Sequence, residues 1–169
     1  RSAEAAADRA LAGHPIFAGL WSLDWPGTPY GDLWRAADLV REHRGDSHVA
    51  AWTSEGVDQV EISLLSELWW GLPPKSFIRT RGFGDEAIDP ASDRLESRGL
   101  TKAGELTESG RELREAIERA TERGSISIME ALGADAEELI SLLEVWARAI
   151  IDAGAYAVDT IARSDDLSS

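Results

Sequence analysis

From Leu33 onward the chain has helical periodicity, and the stretch that should complete its apolar stripe is Arg41-Glu42-His43-Arg44-Gly45-Asp46-Ser47-His48. At about 100° per residue, a stripe through Leu33, Ala37 and Val40 continues through positions 44, 47 and 51. Position 44 falls near the middle of that stripe and holds an arginine. Arg41 and His48 lie within roughly a quarter turn of it on the same side. Burying such groups unpaired costs several kcal/mol each. A helix of this kind is therefore expected to line a polar cavity.

The 169 residues suffice for one compact domain or one and a half. The net charge of -14 argues against broad attraction to nucleic acid or to an anionic membrane. With no cysteine there is no disulfide framework and no thiolate chemistry, which fits a cytoplasmic protein. No apolar run approaches the roughly 20 residues that a membrane-spanning helix needs. The chain opens at Arg1 in mid-helix style and carries no signal-peptide pattern, so it reads as the retained part of a longer protein.

Breakers and caps divide the chain. An alanine-rich helix is expected over 3–12, ended by Gly13-His14-Pro15, then an irregular aromatic segment over 16–29. A helix runs from Pro29–Asp32 to about Thr53, and another from about Asp58 to Trp70. A short helix over 74–81, a turn at 82–84 and a helix over 85–98 follow. Pro90 is expected to delay the start of that last helix to Asp89. Gly99 suits a left-handed cap, Leu100–Leu106 a two-stranded ribbon, and Thr107 the cap of the next helix. Further helices are expected over 126–132 and 135–158, with a disordered polar tail over 164–169. The domain reading is 1–56 for N-terminal helices carrying the Arg41–His48 phrase, 57–124 for a helix-turn-helix-like domain, and 125–163 for C-terminal helices able to dimerise.

The order helix, short helix, turn, helix, ribbon, helix is that of a winged helix-turn-helix. The phrases Asp93-Arg94-Leu95-Glu96-Ser97-Arg98-Gly99-Leu100 and Leu106-Thr107-Glu108-Ser109-Gly110-Arg111 resemble the recognition helix, wing and following helix of MarR-type regulators, over about residues 60–120. Leu33-Trp34-Arg35-Ala36-Ala37, with Arg41 to Ala51 and the winged segment, resembles the SalK-type actinobacterial helix-turn-helix family over most of residues 10–150. That resemblance implies a mainly α fold with flanking helices and a small β-wing. It also implies that the chain is the C-terminal portion of such a protein, with the missing N-terminal region as a partner.

Two arginines and a histidine on one helix side suit an anionic ligand such as a carboxylate, phosphate or enolate. Arg41, Arg44 and Asp46 are the candidate ligand-binding residues, with Trp52 and Trp70 as aromatic walls. His48 and His43 are the candidate acid–base groups. The bland alternative is a buried ion network, with Arg44 or Arg41 paired to Asp38, Glu42 or a glutamate of another helix. Trp34 and Trp69 share phase with leucines and read as core. His43 and His48 are five apart, which misses the i, i+4 spacing of helical metal sites, so no metal is expected. No motif names a cofactor.

For DNA, the candidate contacts are Arg79, Arg81, Arg94, Arg98 and Lys102. They are opposed by Asp85, Glu86, Asp89, Asp93 and Glu96. The reading placed first is a small-molecule-binding protein on a winged-helix scaffold, extending to an enzyme of specialised metabolism if His48 or His43 exchanges a proton. The second is a MarR-like, DNA-binding regulator with an effector pocket. The third is an interaction scaffold. A homodimer through the C-terminal helix fits all three.

Overall fold

Thr28 caps the longest helix by accepting the Gly31 N–H on its hydroxyl, and Pro29 occupies the first turn, where no N–H is needed. The computed structural model describes residue 11 and residues 13–154. The expected helix over 3–12 and the tail over 164–169 fall essentially outside the described residues. In order, the elements are α1 (Pro15–Trp21), α2 (Pro29–Ser54), α3 (Gln59–Trp69), α4 (Ser76–Thr80), α5 (Asp85–Ser97), β1 (Thr101–Lys102), β2 (Glu105–Leu106), α6 (Glu108–Leu132) and α7 (Asp135–Asp152). The described residues are mainly helical, with one two-stranded antiparallel ribbon among them pairing Thr101 with Leu106 and Lys102 with Glu105.

Two compact units emerge. Of the described residues, the first joins those up to Gly56 to Ile117–Glu138, and the second joins Val57–Ala116 to those from Leu139 to Gly154. Phe17, Leu39 and Ile128 form the core of the first unit, flanked by Leu20, Trp21, Val40 and Leu132. In the second, Ile62, Leu65, Ile78, Ile88, Leu95 and Leu100 are buried.

Several expectations are corrected. The segment 16–29 is not wholly irregular, because α1 occupies its first part. Pro90 lies inside α5 and does not delay its start. The helix after Thr107 runs unbroken to Leu132. The buried residues of α2 are Leu39, His43, Asp46, Ser47 and Ala51: positions 47 and 51 are buried as the stripe from Leu33 predicts, while burial at 39, 43 and 46 replaces that expected at 40 and 44. Arg44 is therefore on the flank of the helix and half-exposed. Trp34, read as core, is 73% exposed.

In the second unit, local signals suffice. Asp58 and Glu61 form a reciprocal capping box at the start of α3. Gly99, at φ 72°, ends α5 where only a residue without Cβ is unstrained. Thr107 accepts the Gly110 N–H and caps α6. Gly110 passes so close to the Leu100 carbonyl that a Cβ there would collide with it.

Candidate functional site

The Arg41–His48 phrase ties α2 to its neighbours in the first unit. Asp46 is 4% exposed. Its Oδ2 accepts the backbone N–H groups of Ile16, at 3.0 Å, and Phe17, at 2.9 Å. Those are the second and third residues of α1, the donors that a local capping side chain ordinarily takes. His14, at the cap position itself, makes no side-chain cap bond. Its Nε2 instead lies 3.0 Å from Ser47 Oγ. The Ser47 hydroxyl donates to the His43 carbonyl at 3.1 Å. Its one hydrogen is thus committed, so His14 Nε2–H is the donor to Ser47.

The same argument fixes His48. Thr121 Oγ1 donates to the Ile117 carbonyl at 2.9 Å, so His48 Nδ1–H, 2.9 Å away, donates to Thr121. Thr121 belongs to α6, as does Glu118, which pairs with Arg44. Arg41 pairs with Asp38 at 3.1 Å and with Glu42 at 2.7 Å. Gly124 lets α6 approach α2: a Cβ there would lie 2.6 Å from Ser47 Oγ and 2.8 Å from Ser47 Cβ.

His43 differs from the rest. Its side chain is fully buried, and neither ring nitrogen has a hydrogen-bond partner among the described residues. The ring stacks on His14 with centroids 4.1 Å apart and planes 13° apart, and meets Phe17 edge-on at 5.2 Å. Burial lowers its pKa from the ordinary imidazole value; the nearby His14 lowers it further, and Asp46 opposes both.

The candidate DNA contacts lie in the second unit, and four of the five are engaged within the chain. Arg94 Nε donates to the buried Glu61 carboxylate at 2.9 Å and its Nη2 pairs with Asp58. Arg98 lies 3.7 Å from Glu61. Arg79 pairs with Asp85, and Arg81 stacks over the Phe77 ring at 4.8 Å. Lys102 is exposed in β1. Asp85, Glu86, Asp89, Asp93 and Glu96 all lie on the solvent side of α5. Two of them, Asp85 and Asp89, hold Lys75 at 2.9 and 2.8 Å.

Trp70 is half-buried and edge-on to Phe77 at 5.2 Å. Trp52 is half-buried near the end of α2, in the other unit. Trp69 is half-buried, with the Arg114 guanidinium 4.7 Å over its ring.

Sequence reasoning passed over Glu67. It is 1% exposed and accepts the backbone N–H groups of Phe77, at 2.8 Å, and Ile78, at 3.0 Å, on Oε2. Its Oε1 accepts the Lys75 N–H. A lone glutamate among leucines was its only signal. Beside it is a groove of about 100 Å³ lined by Leu64, Leu68, Ile88 and Leu95, with Lys75, Asp89, Ser92 and Thr101 also on its walls. No group of three or more potential metal ligands occurs among the described residues. No described helix is long and apolar enough to cross a membrane.

A family model described as a helix-turn-helix family matches residues 1–157. No curated protein and no solved structure matches the chain.

Proposed function

The chain belongs to a helix-turn-helix family, and from that premise we propose that it is a small-molecule-binding protein on a winged, MarR-like scaffold. The observation that carries this reading is the charge arrangement around α5. A helix that reads the major groove needs cations for phosphates and amide or guanidinium groups for base edges. Here Arg94 and Arg79 are held by carboxylates of the same unit, and the outward face of α5 carries five acids. Phosphates approaching that face are repelled.

The groove between α3, α5 and the ribbon is the binding site in this reading. Its volume of about 100 Å³ suits a branched alkyl group or part of a ring, with Ser92 and Thr101 to orient it. An anion at Arg44 or Arg41 would have to displace Glu118, or Asp38 and Glu42. Proton exchange at His48 would compete with its bond to Thr121.

The test pairs two titrations of the full chain. Benzoate or indole, followed by amide chemical shifts, should perturb Leu64, Ile88 and Leu95 saturably. Random-sequence duplex DNA, followed by fluorescence anisotropy, should show no saturable binding even at low salt. Salt-sensitive DNA binding without any effect of the probes would reverse the assignment. It would favour a DNA-binding regulator, a reading supported by the family and by Lys102 in the ribbon.

The partner proposed for α7 is a second copy of the chain. None of its residues is buried, and Ile140, Leu142, Leu143, Val145, Trp146 and Ile150 are all exposed. An apolar surface of that extent on one helix is characteristic of an interaction site.

A further inference from the structure

We propose that His43 is a pH-sensitive latch that holds α1 on α2 while its ring is neutral and releases α1 when the ring gains a proton. The inference rests on geometry. A neutral imidazole has one N–H to place and a protonated one has two. Among the described residues neither ring nitrogen of His43 has a hydrogen-bond partner. The ring is tolerated there because it acts as an aromatic plate, stacked on His14 and edge-on to Phe17. A positive charge in that position loses its hydration and gains no hydrogen bond.

Among the described residues, few charged groups could compensate. Before α1 stands His14, another imidazole; α1 (Pro15–Trp21) has no ionisable side chain. On α2, Asp46 lies near but spends Oδ2 on the Ile16 and Phe17 N–H groups. On α6, Thr121, Gly124 and Ile128 are uncharged, and Glu118 is taken by Arg44. The His14 ring stacked on His43 further disfavours a positive charge there.

The sign follows from linkage. Burial and His14 hold the docked pKa of His43 below its ordinary value, so the released form binds more protons. Docking of α1 is then complete at neutral pH and weakens as pH falls below about 6.5, the value of an exposed imidazole. Release would expose Phe17, Leu39 and the Asp46 carboxylate together, which makes α1 a cover that mild acid opens.

The experiment is amide hydrogen exchange on the full chain by NMR at about pH 7.5 and about pH 5.5, read as protection factors so that the intrinsic rate cancels. Ile16 and Phe17 should lose protection at the lower pH, by up to about tenfold one unit below an exposed imidazole. Ile78, capped by Glu67 in the other unit, should not change. In H43F, which keeps an aromatic plate, the Ile16 and Phe17 loss should vanish. Equal loss in H43F, or no loss in the parent chain, overturns the proposal. Should H43F fail to fold, the parent's His43 ring signal decides. A midpoint below the ordinary value that coincides with loss of α1 protection supports the latch. Titration with α1 still protected overturns it.

Discussion

The carboxylate of Asp46 caps a helix that contains Phe17, a residue 29 positions earlier in the chain, by taking its N–H at 2.9 Å. The second unit repeats the device: Glu67, in α3, caps the later helix α4 through Phe77 and Ile78. In both, a buried carboxylate on a longer helix supplies what a short helix lacks locally. Neither His14 nor Lys75, the residues at the two cap positions, makes a side-chain cap bond. A short helix is marginal by itself, so its docking and its formation become one event.

Asp46→Ala should destabilise the first unit by about 1–2 kcal/mol, the size of a lost N-terminal cap. Denaturant unfolding measures the loss, and exchange at Ile16 and Phe17 locates it. A change within error would show that α1 is held by Phe17 packing alone.

Glu67→Ala leaves three N–H groups without their acceptor and should cost about 2 kcal/mol or more. Glu67→Gln keeps one carbonyl oxygen but turns an amide NH₂ toward one of the donors, so an intermediate loss is expected. If thermal unfolding shows the two variants equal, the charge and the geometry of the carboxylate are both irrelevant there.

Gly124→Ala provides a test by sign. At an open helical position the substitution stabilises by up to about 1 kcal/mol. Here the new Cβ meets Ser47 Oγ at 2.6 Å, and the expected result is a loss of about 1–3 kcal/mol. Ser47→Gly should be far less harmful in the Gly124→Ala background than alone, a coupling that a double-mutant cycle reads directly. Additive effects would mean that α2 and α6 do not meet at this point.

Trp146→Glu addresses α7. The parent chain should sediment as a dimer at micromolar concentration and the variant as a monomer, with helical content otherwise retained. A parent chain that is monomeric at every concentration rules out self-association through this face.

The sequence by itself determined the second unit's element order. Its signals are local: the Asp58–Glu61 capping box, Gly99 in the left-handed region and the Thr107 cap each act within a few residues. It also carried the partners of the arginines, since Asp38, Glu42 and a glutamate of another helix pair with them, although the ion network expected to be buried is exposed at Arg41 and half-exposed at Arg44. Only the tertiary structure decided the phase of α2. The stripe from Leu33 and Val40 correctly reaches Ser47 and Ala51, but ahead of them the buried residues are Leu39, His43 and Asp46 rather than Val40 and Arg44. Asp46 and Ser47 are polar there because their partners are the start of α1 and His14, about 30 residues away. Hydrophobic periodicity registers apolar burial and is blind to a polar group buried by pairing across the fold. For the same reason the start of α1 was legible only as Pro15 in its first turn: its cap is on another helix, and that contact exists only once the chain has folded.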